Sequence, residues 1–346
     1  MTADRPFRAS DFHYALPQEL IAQRPCQVRD ASRLLVVRRK HLDFEDRRFW
    51  DLTGLIPAGD LLVLNSTRVR PARLLGRRPS GAAAEVLLIH PRADSAWVAL
   101  GQPGSALRPG KRIALGPEVW VETVEVLPDG NRLIRFVGAD AAEAIARFGR
   151  LPLPPYIARD ADRSDQERYQ TVYAEREGSV AAPTAGLHFT PGLLDTLRDA
   201  GVRVAALDLE VGPGTFKPVE TEDLSAHPMH PERYEIGAGL VQEVARCRER
   251  GGAVWAVGTT VVRALEASAG AGGGIQAGAR ETALFITPGY RFQVVDRLIT
   301  NFHLPRSTLL MLVSAFAGVE TIRAAYSHAV AQRYRFYSYG DAMAIV

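Results

Sequence analysis

Five stretches of the sequence are too polar, or built of residues too small, to be core, and they hold the side chains with which chemistry can be done. In the first, Leu64-Asn65-Ser66-Thr67 runs into Arg68, Arg70 and Arg73. A guanidinium is a rigid fork of donors that matches phosphate oxygens, although a surface turn with solvated arginines has the same pattern. In the second, the small residues Ala181 to Gly186 lead directly to His188. Small side chains let a backbone approach a ligand closely, and an imidazole can serve as general base or acid; a tight turn with a hydrogen-bonded histidine is the plain structural alternative. The third holds Glu210-Val-Gly-Pro-Gly-Thr-Phe-Lys217, then His227, His230 and Glu232. Pro228 and Pro231 forbid a regular helix through the two histidines, so a helical zinc site fails and no metal is expected; hydrogen bonding or proton transfer suits His230 and Glu232 better. The fourth, Ala256-Val-Gly-Thr-Thr-Val-Val-Arg263, passes from a strand through glycine into a helix. Free N–H groups and the hydroxyls of Thr259 and Thr260 gather there and favour a carboxylate or phosphate, though simple threonine capping would look alike. In the fifth, Asn301, His303 and Arg306 punctuate the apolar stretch from Asp296 to Ser307, where a buried polar group needs a partner or a purpose.

These stretches need elements to hold them. Residues 72–138 read as all-β: short apolar runs at 85–89, 97–100, 112–115, 119–127 and 132–137 are separated by Pro, Gly and Asp turns, and an alanine-rich helix at 139–148 closes the segment. The rest alternates. Helical apolar spacing is predicted over 16–23 and 193–200, the latter opened by Thr190 as N-cap and Pro191 at the first helical position. Strands follow at 202–211 and 253–257, each succeeded by a helix, at 237–250 and 260–268. Further strands are predicted near 283–286 and 292–295, and helices at 307–316 and 319–332. Alternation of this kind argues for an α/β main domain, residues 1–70 with 150–346, carrying an inserted, barrel-like all-β domain at 71–149. The glycine-rich segment from Ala267 to Gly278 lacks the dinucleotide-loop spacing and a strand before it, so it reads as a surface loop. The aromatic tail from Tyr334 to Asp341 could stack bases, but packing with hydrogen-bonded tyrosine hydroxyls fits it better.

Hydrophobic residues make up 47% and charged residues 23% of the chain, an ordinary globular composition long enough to bury its own core. The N-terminus lacks the features of a secretory signal, and the longest apolar run, Leu309 to Val319, is too short for a bilayer. Two distant cysteines, Cys26 and Cys247, suggest neither a disulfide framework nor a zinc site, so a reducing cytoplasm is expected. The net charge of +3 is uneven: residues 1–80 hold 15 Lys and Arg against 9 Asp and Glu. A basic segment on a near-neutral body is compatible with a polyanionic partner, and equally with a solvated surface.

The same stretches resemble the S-adenosylmethionine:tRNA ribosyltransferase-isomerase family of queuosine biosynthesis. The strings that carry the resemblance run in order along the chain. They include Leu151-Pro-Leu-Pro-Pro-Tyr-Ile157, Glu167-Arg-Tyr-Gln-Thr-Val-Tyr173 and Ala181-Ala-Pro-Thr-Ala-Gly-Leu-His-Phe189. Val257-Gly-Thr-Thr-Val-Val-Arg-Ala-Leu-Glu266 and Thr300-Asn-Phe-His-Leu-Pro-Arg-Ser-Thr-Leu-Leu-Met311 continue the series. Departures are Ser66 where the family usually has Asp, Glu210 where it usually has His, and Glu281-Thr-Ala-Leu before the Phe-Ile-Thr-Pro-Gly-Tyr string. The resemblance implies that the ribosyl group of S-adenosylmethionine moves to 7-aminomethyl-7-deazaguanine at the tRNA wobble position and rearranges to an epoxycyclopentane. Adenine and methionine leave, and epoxyqueuosine-tRNA is formed.

Under that implication S-adenosylmethionine is a co-substrate, no prosthetic group is needed, and the enzyme is expected to work as a cytoplasmic monomer on tRNA. The sulfonium acidifies the C5′ protons, so a positioned base can start the reaction; His188 or His303 is expected first, with His230 and Glu232 next. Thr259, Thr260 and Arg263 would hold the methionine carboxylate, with Thr184, Gly186 and Asn301 also around the donor. Arg68, Arg70 and Arg73 would hold RNA phosphates. The rival readings are a paralogous S-adenosylmethionine-dependent transferase acting on a free deazapurine or related metabolite, and a non-catalytic tRNA-binding protein. A plain methyltransferase is disfavoured because no glycine-rich loop follows Leu34-Leu-Val-Val.

Overall fold

A computed structural model of the chain describes residues 5–39, 42–92, 94–216, 219 and 221–346. Two large sheets organise it. The first has nine strands, in the order Gly278–Thr282, Glu232–Ile236, Arg203–Leu209, Leu61–Asn65, Val254–Val257, Arg297–Asn301, Ala342–Ile345, Arg33–Val37 and Phe44–Arg48. The four strands from Arg203–Leu209 to Arg297–Asn301 pair in parallel, and antiparallel strands extend the sheet on both sides. A parallel centre must be covered on both faces, and the sequence complies with continuous apolar runs such as Leu61-Leu-Val-Leu. Alternate residues feed two cores. Leu61, Val63, Val254, Ala256 and Leu298 join a core covered by the helices Ala238–Glu249, Thr259–Ala267, Thr308–Ala317 and Val319–Ala331. Leu62, Leu64, Trp255, Val257 and Ile299 join a core on the other face with Leu193, Leu194 and Leu197 of the helix Pro191–Asp199.

The second sheet uses Arg73–Arg77, Ala83–Pro91, Trp97–Gln102, Arg112–Gly116, Val119–Val126, Arg132–Val137 and the short Gly149–Arg150. It curls until Arg77 pairs with Ala114, joining its first long strand to its last. A separate core fills it, drawn entirely from residues between Ala72 and Phe148.

Several expectations need correction. Residues 16–23 form only the 3-10 turn Gln18–Leu20, because Pro17 and the extended backbone at Ile21 leave no room for an α-helix. The strands expected near 283–286 and 292–295 lie instead at Gly278–Thr282 and Arg297–Asn301, while the apolar residues Ile286, Val294 and Val295 pack as loop. Thr190 does cap its helix, its Oγ1 accepting from the Leu193 amide at 3.1 Å. Cys26 and Cys247 are both free thiols. No single helix among the described residues is long and apolar enough to cross a membrane.

Candidate active site

The parallel strands all end on one edge of the sheet, the usual place for a ligand crevice in an open α/β fold. A cleft opens there. Its walls come from Ala182–Ala185, Gly258–Thr260, Thr300–Leu304 and the Tyr337-Ser338 pair, with Tyr156 and Val211. The second, fourth and fifth polar stretches therefore meet in one cavity, and the third touches it through Val211.

The fourth stretch reaches it as a strand-to-helix turn. Gly258 caps the helix Thr259–Ala267 with a φ of 93°, a left-handed conformation that favours glycine. No side chain caps this helix, so its first amides stay available to a ligand. The Thr260 hydroxyl is buried in the wall without a hydrogen-bond partner. An anion seated here would meet free N–H groups, the positive end of the helix and an unspent hydroxyl.

The second and fifth stretches are tied together by hydrogen bonds. Thr184 Oγ1 donates to Asn301 Oδ1 at 3.0 Å. Asn301 Nδ2 lies 3.2 Å from the Tyr337 carbonyl and 3.1 Å from His188 Nε2. The other ring nitrogen of His188, Nδ1, is 2.7 Å from Ser32 Oγ, and the ring stacks on Phe49 at 4.9 Å. His188 therefore sits behind Asn301 and is not part of the cavity lining. Burial first, then the nearby guanidiniums of Arg335 and Arg29, pull its pKa down to about 3.

His303 is in the lining itself. Its Nε2 is 2.8 Å from Thr300 Oγ1, and its backbone is fixed by Tyr326 and Tyr14, whose hydroxyls engage its N–H and carbonyl. Nδ1 makes no hydrogen bond among the described residues. Burial holds this imidazole near 3 as well, so it is neutral through the physiological range and can accept a proton.

The remaining expected residues lie elsewhere. Arg263 turns away from the cavity to a buried ion pair with Glu232 at 2.8 Å, both side chains 7% exposed. Its charge is met by a protein carboxylate, and neither Arg263 nor Glu232 lines this cavity. His230 is exposed, outside the cavity, against Gly214. Gly186 is buried, and a Cβ there would stand 2.1 Å from the Tyr173 hydroxyl. The glycine serves packing against Tyr173 and does not admit a ligand. Lys217 lies outside the described residues.

The arginine track is a correction of the same kind. Arg68 donates to the Ala174 carbonyl, Arg70 is buried and donates to Gly178 while lying over Trp97, and Arg73 pairs with Glu85 at 2.8 Å. These guanidiniums join segments of the protein, and none is left as a free phosphate fork. Tyr156, Tyr337 and Ser338 also line the cavity; they fall in strings that the sequence marks, residues 151–157 and the aromatic tail, but were not among the expected site residues. Tyr337 has φ 71°, rare for a bulky residue, and its ring lies 4.7 Å from that of Tyr156.

A family model described as "Queuosine biosynthesis protein" matches residues 9–345. The chain belongs to this family. Among its relatives, the S-adenosylmethionine:tRNA ribosyltransferase-isomerase of Thiobacillus denitrificans is 52% identical over 97% of this chain and 96% of its own length. The protein of the same name from Syntrophomonas wolfei is 49% identical over 98% and 97%. A crystal structure of S-adenosylmethionine tRNA ribosyltransferase from Thermotoga maritima is 37% identical, covers 97% of this chain and all of its own, and superposes with a TM-score of 0.56.

Proposed function

We propose that the chain is an S-adenosylmethionine:tRNA ribosyltransferase-isomerase and that the cavity at the strand ends holds the donor. The acceptor is 7-aminomethyl-7-deazaguanine in the wobble position of tRNA, and the products are epoxyqueuosine-tRNA, adenine and methionine. The observation that carries the reading is a single cavity in which an uncapped helix start, with the unspent Thr260 hydroxyl, meets an imidazole with an unspent nitrogen. Relatives about half identical over nearly the full chain bear the corresponding enzyme name.

The chemistry follows from those two ends. The methionine carboxylate takes the helix start and Thr260, which seats the sulfonium in the cavity. With its Nε2–H donated to Thr300 Oγ1, His303 Nδ1 removes an acidified C5′ proton, and the imidazolium returns that proton to the departing adenine. As the aminomethyl nitrogen bonds to the transferred group, the carbon–sulfur bond breaks to release methionine as a neutral thioether, and the proton lost by the amine passes to solvent with the positive charge. An imidazole near 3 is a weak base in the empty site; a bound carboxylate in the same cavity stabilises the imidazolium and raises its proton affinity. No prosthetic group is required by these steps. A monomer is proposed as the working unit, and a tRNA substrate supports a cytoplasmic location.

We further propose that residues 71–149 are an inserted domain between the two parts of an α/β main domain, 1–70 and 150–346. The closed sheet and its private core support this division. Its use would be to hold tRNA beside the cavity.

The test is one incubation of the purified chain with S-adenosylmethionine and tRNA carrying the deazaguanine precursor, followed by nucleoside analysis and chromatography of small products. Epoxyqueuosine in the digest and free adenine are expected. Release of S-adenosylhomocysteine, or turnover on the free base with none on tRNA, would overturn the assignment.

A further inference from the structure

The hydrogen bonds behind the cavity fix more than the shape of the wall. Tyr337 offers Asn301 only a carbonyl oxygen, so the group facing it must be the amide's NH2. The same NH2 reaches His188 Nε2, which must then be an acceptor. The ring proton is therefore on Nδ1 and is donated to Ser32 Oγ. This tautomer leaves no ring nitrogen free. The flipped amide is disfavoured because it would set an oxygen against the Tyr337 carbonyl, which is an acceptor in either tautomer of His188.

With the amide held this way, Oδ1 points to the Thr184 side of the wall. It accepts one hydrogen bond, from Thr184 Oγ1, and an amide oxygen can take two. Thr184, having given its proton to Asn301, keeps its lone pairs. Asn301 and Thr184 both line the cavity, so this part of the wall is an edge of acceptors.

We propose that Asn301 and Thr184 form a subsite for a hydrogen-bond donor of the substrate, an O–H or N–H group such as a ribose hydroxyl or an amine, and that His188 is the positioning residue that keeps the edge facing the cavity. The inference rests on the donor occupying this cavity, and it removes His188 from the groups that exchange protons with substrate. Ser32, in the turn before the strand Arg33–Val37, sets the tautomer; it is part of the same device although it touches no substrate. A ligand group that can only accept would be repelled from this edge, which distinguishes it from the anion-favouring helix start.

The inference is tested on the full-length chain in two ways. Selective 15N-histidine labelling, with His188→Gln to assign the signal, reads the tautomer without any turnover. A proton on Nδ1 that persists down to pH 5 is expected, whereas an Nε2–H tautomer would overturn the scheme because it sets the ring N–H against the amide NH2. Kinetics provides the second arm. Gln at 188 can place an oxygen near the position of Nε2 but cannot titrate at neutral pH. His188→Gln is expected to keep kcat within about tenfold of wild type with an unshifted pH profile, while His188→Ala raises KM for S-adenosylmethionine about tenfold. Loss of about 10²–10⁴ in kcat for His188→Gln, the usual size for an acid–base group, would return His188 to the catalytic residues. Thr184→Val, a milder change, is expected to raise KM about fivefold with kcat nearly constant, and an unchanged KM would exclude the subsite. If the wild-type chain releases no adenine at all, the functional reading fails, and the tautomer still decides the positioning scheme.

Discussion

Two buried polar clusters lie close to the strand ends, and they are built for different ends. In one, Arg263 and Glu232 meet at 2.8 Å and satisfy each other's charge. In the other, Ser32, His188, Asn301 and Thr184 form a neutral chain of hydrogen bonds whose last members face a cavity. Both clusters are buried, and by sequence both supplied candidates for catalysis and donor binding. Burial of polar groups does not mark a site; an acceptor or donor left over, facing open space, does. The ion pair has its opposite charges turned on each other. The cavity has Thr260 Oγ1 and His303 Nδ1.

The contrast can be broken by substitution. The largest effect on chemistry is expected from His303→Ala, a loss of about 10²–10⁴ in adenine release with little change in melting temperature, since the ring is in a cavity wall. Unchanged turnover would take the proton transfer away from this imidazole. Glu232→Ala should do the reverse. It strands the Arg263 guanidinium in a buried site, which costs on the order of 3–5 kcal/mol of stability and lowers the thermal midpoint, while activity per folded molecule at low temperature stays close to wild type. A loss of kcat without destabilisation would mean that the pair takes part in the reaction.

Smaller effects sharpen the comparison. Thr260→Val removes one hydroxyl from the helix start and is expected to raise KM for S-adenosylmethionine by about 5–20-fold, the size of a hydrogen bond to a charged group. Stability should also fall with acid. His188 and His303 have folded pKa values near 3, below the ordinary histidine value of about 6.5. The unfolded chain binds their protons first, so the stabilisation is full above about pH 6.5 and is lost as the pH falls toward 3, by about 1.4 kcal/mol per pH unit for each histidine. Denaturant titrations across that range measure the slope, and His188→Gln should remove its share. The smallest effect is expected at Arg73, whose pair with Glu85 is partly exposed. Arg73→Ala should change stability by less than about 1 kcal/mol and leave the salt dependence of tRNA binding unaltered.

What could be read from the sequence divides along the same line. The α/β alternation, the run of short β segments between 72 and 138, and the strand-glycine-threonine turn at 257–260 are local patterns, and local patterns carry their own signal. Three of the polar stretches were recognised because small or polar residues had no reason to sit together. Which way each side chain turns was not legible. Arg263 follows Thr259 and Thr260 by one helical turn, yet its side chain leaves the cavity for a carboxylate on another strand. Arg68, Arg70 and Arg73 looked like a phosphate track because their partners, Ala174, Gly178 and Glu85, are 12 or more residues away. Tyr337, in the aromatic tail, was read as packing because its place in the wall depends on a left-handed backbone that nothing in its neighbours announces. Residues 16–23 were misread because apolar spacing alone was followed past Pro17.

The cavity's role is tested most directly by a crystal structure of the chain with S-adenosylmethionine bound. The carboxylate is expected at Thr259 and Thr260, with the sulfonium carbon atoms within reach of His303 and a donor group on the Asn301–Thr184 edge. Density for the donor in the separate cleft lined by Arg176, Asp208, Glu210 and Arg280, with the strand-end cavity left to solvent, would contradict the assignment.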